Sequence, residues 1–184
     1  LGLKHLKVLK ADVTNNPSYT NYYAMMRIIV AWRTIAMTDI FGDIPYSEAG
    51  LGQDAPRYDS QKDIYYDVFK ELTEATATLK QNLPNQEACG KDNDLIYEGN
   101  ISKWIKFANS LRLRYALRLY YIDPEKAKSE GEAALKESLM ESNDDSAQER
   151  ITAGGGWGHP LYMICAWSCF TMSKTMENIF KNTS

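Results

Sequence analysis

Residues 18–40, SYTNYYAMMRIIVAWRTIAMTDI, are apolar on almost every side and are interrupted only by Arg27, Arg33 and Asp39. A helix lying on a protein surface needs one apolar stripe, whereas a helix apolar all round has to be enclosed by neighbours. The rest of the chain therefore has to supply partner helices for this central one. Its end is equally well marked. In TDIFGDIPYSEA (38–49), Gly42 ends the helix through a left-handed residue, Asp43 tightens the turn, and Pro45 prevents the helix from resuming.

The partners can be read from periodicity. Leu3, Leu6, Leu9 and Val13 recur near helical spacing until Asn15-Asn16-Pro17 stops them, which predicts a short first helix. In YDSQKDIYYDVFKELTEATATLKQNLP (58–84), Asp59 or Ser60 serves as N-cap, Asp63 sits in the first turn, and Ile64, Val68, Leu72, Ala75 and Leu79 form one stripe. A fourth helix starts near Ile101 and places Trp104, Ile105, Ala108, Leu111, Tyr115 and Leu119 on one side. Arg112, Arg114 and Arg118 lie toward its C-terminal half, where the helix dipole favours cations. Trp32 and Trp104 fall on helical stripes and are expected in the core.

Asp123-Pro124 restarts the pattern as cap and first helical residue, followed by a small-residue face of Ala127, Gly131, Ala134 and Leu135. Two helices with so short a connection run antiparallel and touch, giving a helical hairpin. Period-two alternation is absent, so little sheet is expected. Residues 142–160, SNDDSAQERITAGGGWGHP, read as a long irregular loop; 161–170 is apolar, and 173–180 has helical character. A loop of that length inside a compact domain is usually functional or mobile.

The fold class is thus all-α, a single helical domain over 1–184. A chain of 184 residues buries roughly 70% of the surface its unfolded form exposes, enough for a substantial core. The net charge of −3 argues against nucleic acid as a partner. The longest uncharged run, 154–173, contains Gly, Pro, His and several hydroxyls and does not have the character of a membrane span. Three cysteines, Cys89, Cys165 and Cys169, cannot all pair within one chain.

Catalytic and metal chemistry finds little material. Asp39, Asp43 and Glu48 lie close in sequence, and paired carboxylates are what glycoside hydrolysis uses, but the stop signals around them favour a structural turn. His159, Cys165 and Cys169 match no familiar zinc spacing and lack a fourth ligand. DNDLIYEG (92–99) departs from the order of a calcium loop, and GGGWG (154–158) lacks the lysine and hydroxyl of a phosphate loop. No serine sits in a nucleophile elbow. No catalytic residue, metal ligand or cofactor is assigned. The candidate ligand-binding residues are aromatic: Trp157, Tyr162 and Trp167, in or beside the glycine-rich loop, where a flat ring can stack on a sugar while its N–H or O–H forms a hydrogen bond. Trp157 stands out because its flanking glycines supply no side chains to bury it.

TDIFGDIPYSEA, YDSQKDIYYDVFKEL and GNISKWIKFANSLRLRYALRL, in that order over residues 38–119, resemble the SusD/RagB family of outer-membrane lipoproteins of Bacteroidetes. MSKTM at 172–176 is similar to a further family element. The resemblance implies a scaffold of tetratricopeptide-like helical hairpins, although no 34-residue consensus period is visible in the sequence itself. It implies no catalysis. What it implies instead is oligosaccharide binding at the cell surface, or peptide binding in some members, and delivery to a SusC-like TonB-dependent transporter. The alternative is a helical protein-interaction scaffold. Family members are longer and carry a lipid anchor that is not in this chain, so the chain reads as a soluble internal part of such an outer-membrane protein. The family's ligand residues vary between members, and none is transferred.

Overall fold

The computed structural model describes residues 2–52, 54–83, 93–148 and 173–182, which fall into two units, 1–148 and 149–184. The first unit contains helices α1 (Gly2–Asn15), α2 (Thr20–Phe41), α3 (Gln61–Gln81), α4 (Ile101–Arg118) and α5 (Pro124–Leu135). Single 3-10 turns occur at Pro17–Tyr19 and Asn143–Asp145. In the second unit, Lys174–Asn182 forms helix α6, on the segment expected to be helical. The described sheet is one antiparallel ribbon in which β1 (Ile44–Pro45) pairs with β2 (Tyr58–Asp59), with Ile44 opposite Asp59. The all-α expectation holds.

Contacts between side chains give the helix directions. Arg27 in the first half of α2 meets Glu71 and Glu74 of α3, while Asp39 near the end of α2 meets Tyr65 near the start of α3, so the two helices run antiparallel. Trp32 and Asp39 of α2 meet Phe107 and Arg118 of α4, which makes α2 and α4 parallel. Arg112 pairs with Glu130 and Asn109 donates to the Ser138 carbonyl, so α4 and α5 form the antiparallel hairpin foreseen from Asp123-Pro124.

The caps follow the sequence chemistry. Ser60, rather than Asp59, caps α3, its hydroxyl accepting the Asp63 N–H at 3.1 Å. Asn100 and Asp123 cap α4 and α5 in the same way. The stripe of α3 is wholly buried: Ile64, Val68, Leu72, Ala75 and Leu79 are all 1% exposed or less. Every residue of the expected α4 stripe is buried, and Ile101, Phe107 and Ala116 join it. Trp104 anchors this core, lying edge-on to Tyr97 and Phe107.

Three expectations need correction. The central helix is enclosed over its first two thirds but not at its end, where Met37, Ile40 and Phe41 are 49%, 74% and 66% exposed. The neighbours α3 and α4 cover the side carrying Ile28, Ile35 and Thr38, and α1 packs against the helix as well, but Met37, Ile40 and Phe41 at its end stay exposed. Leu135 is 63% exposed, because a residue eight positions after Ala127 has rotated about 80° away from the side that meets α4. Trp32 is half-buried, edge-on to Phe107 with the Arg33 guanidinium over its ring, instead of lying inside the core.

Candidate functional site

The segment after α2 is a brace between helices. Gly42 closes α2 by donating its N–H to the Thr38 carbonyl, with φ +72° and ψ −128°, a combination outside the compact left-handed well and open mainly to glycine. A Cβ there would meet nothing within 4 Å, so the requirement for glycine comes from the backbone and not from crowding. The Asp43 carboxylate then accepts the Gln61 backbone N–H at 2.9 Å, and the Gln61 side chain donates to the Thr38 carbonyl at 2.8 Å. Asp59 accepts the N–H groups of Tyr46 and Ser47, and the Ser47 N–H bond chiefly holds its carboxyl below the usual aspartate range. Glu48 accepts the Arg57 N–H at 2.9 Å.

The three carboxylates weighed for catalysis are therefore each committed. Asp43 and Glu48 satisfy backbone donors, and Asp39 accepts the Tyr65 hydroxyl at 2.6 Å while pairing with Arg118. Asp94, in the segment considered for calcium, is 7% exposed. It accepts N–H groups from Ile96, Tyr97 and Gly99 and the indole N–H of Trp104, acting as a buried clasp at the entry to α4. Among the described residues, no group of three or more His, Cys, Asp or Glu side chains is placed to hold a metal.

Beside the brace, α2, α3 and the α4–α5 turn border an open cleft with a cavity of about 430 Å³. Its lining combines Tyr65, Tyr66, Leu119 and Ile122 with Asp39, Gln61, Lys62, Arg118 and Asp123. The Tyr66 hydroxyl donates to Asp123, and Lys62 and Lys126 sit 5.5 Å and 5.1 Å from the Tyr66 ring centre. Burial pushes the Tyr65 hydroxyl up to about 12, so at neutral pH it stays a donor to Asp39. The Tyr66 hydrogen bond, supported by the Lys126 N–H, keeps Asp123 ionised below the usual carboxylate range. Flat rings and aliphatic surface beside fixed polar groups suit a small polar ligand with apolar faces. Of this set, Asp39 was weighed in the sequence for its chemistry, whereas Arg118, Leu119 and Asp123 were read there only as parts of helices. The available signal was the adjacent pair Tyr65-Tyr66, which cannot both face one core.

Trp157, Tyr162 and Trp167, the sequence candidates for ligand contact, lie outside the described residues, as do His159, Cys165 and Cys169. The described start of the expected loop, 142–148, includes the Asn143–Asp145 turn, in which the buried Asp145 pairs with Lys106 and its carbonyl accepts the Tyr97 hydroxyl.

A family model, SusD-like, described as starch-binding associating with outer membrane, matches residues 2–184. Comparison with curated proteins gives no match. Among solved structures, a SusD homologue from Bacteroides uniformis is 34% identical with a TM-score of 0.80, over 90% of this chain and 34% of its own. A SusD homologue from Parabacteroides distasonis is 32% identical with a TM-score of 0.72, over 89% of this chain and 33% of its own. A chitin-binding SusD homologue from Flavobacterium johnsoniae is 36% identical with a TM-score of 0.68, over 79% of this chain and 31% of its own. The chain thus spans about a third of the length of these relatives.

Proposed function

Because the chain belongs to the SusD-like family, we propose that it forms the helical part of a non-catalytic nutrient-binding protein at the outer membrane, one that binds oligosaccharides and passes them to a SusC-like TonB-dependent transporter. The observation that carries this reading is the family match over 2–184, whose description couples starch binding with the outer membrane. The likeness to a chitin-binding homologue at 36% identity supports a glycan as the ligand class. The committed carboxylates fit a role without bond cleavage, since Asp39, Asp43 and Glu48 all hold the scaffold together. Among the described residues no helix is long and apolar enough to cross a membrane.

Stacking on Trp157, Tyr162 and Trp167 is the proposed mode of ligand contact, and the cavity around Tyr65 and Tyr66 is a second place where a sugar ring fits. Isothermal titration of the chain with malto- and chito-oligosaccharides tests both. Binding weakened by Trp157→Ala at unchanged Tm supports the loop site. A large loss of stability with unchanged binding assigns Trp157 to a core, and binding weakened by Tyr66→Ala alone moves the site to the cavity.

A further inference from the structure

Helix α4 carries a polar stripe besides its apolar one. Lys106, Asn109 and Ser110 follow Lys103 by three, six and seven positions, which places all four within about 120° of one another around the helix. Each bonds to the chain that follows α5. Lys103 Nζ donates to the Asp144 carbonyl at 2.6 Å, and Lys106 pairs with the Asp145 carboxylate at 3.0 Å. Asn109 donates to the Ser138 carbonyl at 3.1 Å, and the Ser110 hydroxyl accepts the Met140 N–H at 2.9 Å. Residues 138–148 are thereby strapped along α4, and every residue after Gln148 joins the helices through them.

Within the strap the one buried residue is charged. Asp145 is 8% exposed, whereas Leu139, Met140 and Ala147 are only half-buried. Ser142 turns the chain so that an aspartate reaches this position, its hydroxyl accepting the Asp144 N–H at 3.2 Å and its carbonyl the Asp145 N–H at 3.1 Å. The Asp145 carboxylate also accepts the Glu141 N–H at 3.0 Å, and its carbonyl accepts the Tyr97 hydroxyl at 2.7 Å. The Glu141 N–H first, and Lys106 after it, hold the carboxyl below the usual aspartate range, so it is ionised at neutral pH. A segment that buries little apolar surface and is held by a few polar bonds opens at a lower free energy than helices whose stripes are buried.

We propose that residues 138–148 form a latch, which lifts from α4 as one unit while the helices stay folded, with Lys106 and Asp145 as its catch. Closed, it fixes beside Lys103 and Lys106 the point from which the chain leaves α4. Open, it becomes a tether that extends to roughly 35 Å, so its state sets the reach of everything beyond Gln148. The catch and its supporting bonds all join described residues of one unit, and the inference does not depend on which residues meet a glycan.

Native-state hydrogen exchange of the 184-residue chain, followed amide by amide by NMR, tests the latch. The amides of Met140, Glu141, Asp145 and Ser146 are expected to exchange together, at least about a hundredfold faster than those of Val68 and Leu72 in α3. Lys106→Met removes the ammonium and keeps the stem; it should speed exchange in the strap about tenfold and leave α3 unchanged. Asp145→Asn should act likewise, and Lys106→Arg should keep most of the parent protection. Strap amides as slow as Val68 and Leu72 would overturn the proposal, because the strap would then open only with the whole fold. Exchange at the rate of an unstructured peptide would overturn it too, since there would be no closed state. The same holds if Lys106→Met leaves the strap unchanged or speeds α3 as much as the strap.

Discussion

The Asp43 carboxylate accepts the backbone N–H of Gln61 at 2.9 Å, tying the turn that ends α2 to the first residue of α3. One side chain thereby joins two helices and satisfies one of the orphan N–H groups at the start of the second. Asp43→Ala should cost about 1 kcal/mol in urea unfolding, as the loss of a helix-capping acceptor does. Gly42→Ala should cost about 1–3 kcal/mol, because alanine is strained at φ +72° even though its methyl has space. If both variants unfold like the parent, the turn does not brace the fold.

Asp94 supports the other end of the bundle. Its carboxylate serves three backbone N–H groups and the Trp104 indole in a site that is 7% exposed. Asp94→Ala leaves buried donors unpaired and should destabilise by about 3 kcal/mol or more. The change should appear as an earlier Trp fluorescence transition in denaturant, and a loss below about 1 kcal/mol would mean that water replaces the carboxylate.

These helices were legible in the sequence because their stripes repeat at helical spacing, and the α3 stripe proved buried at every position. Periodicity does not state which side of an all-apolar helix has a partner, and so Met37 and Ile40 read as enclosed when they, and Phe41 after them, face outward. The roles of Asp94 and Arg118 were not legible either. Arg118 depends on Asp39, a partner brought close by the fold, and the Asp94 carboxylate joins a local turn at Ile96, Tyr97 and Gly99 to the Trp104 indole, a combination that no single motif announces. The cavity around Tyr66 escaped notice for the same reason, since it is built from three separate stretches of chain. The aromatic candidates Trp157, Tyr162 and Trp167 rest on the sequence alone.

The α4–α5 hairpin carries a pH dependence. Burial alone would raise the Glu130 carboxyl, but hydrogen bonds from Lys126 and Arg112 outweigh it and hold the group below its ordinary value of 4.5. A folded-state pKa below the unfolded one gives stability that is present above about pH 4.5 and is lost as pH falls through the folded value. Glu130→Gln should therefore lower Tm most at pH 7, and the gap to the parent should narrow as the solution is acidified below pH 4.5. A gap that stays constant from pH 7 to pH 3 would show that the pair contributes no linkage.

The proposed stacking on Trp157, Tyr162 and Trp167 makes a prediction of a different kind. If the proposed stacking holds, Trp157→Ala takes one ring face from the glycan and should weaken oligosaccharide binding by about 0.5–1.5 kcal/mol, with Tm unchanged. Tyr162→Ala and Trp167→Ala, measured in the same titration, rank the three rings.

Binding without cleavage is the centre of the account, and one measurement addresses it directly. The chain is titrated calorimetrically with chito- and malto-oligosaccharides, and the recovered sugar is then assayed for new reducing ends. The account predicts saturable binding of at least one series with every ligand molecule returned intact. Reducing ends that accumulate with time and vanish in Asp39→Asn, or no binding of either series by a chain whose circular dichroism shows it folded, would contradict it.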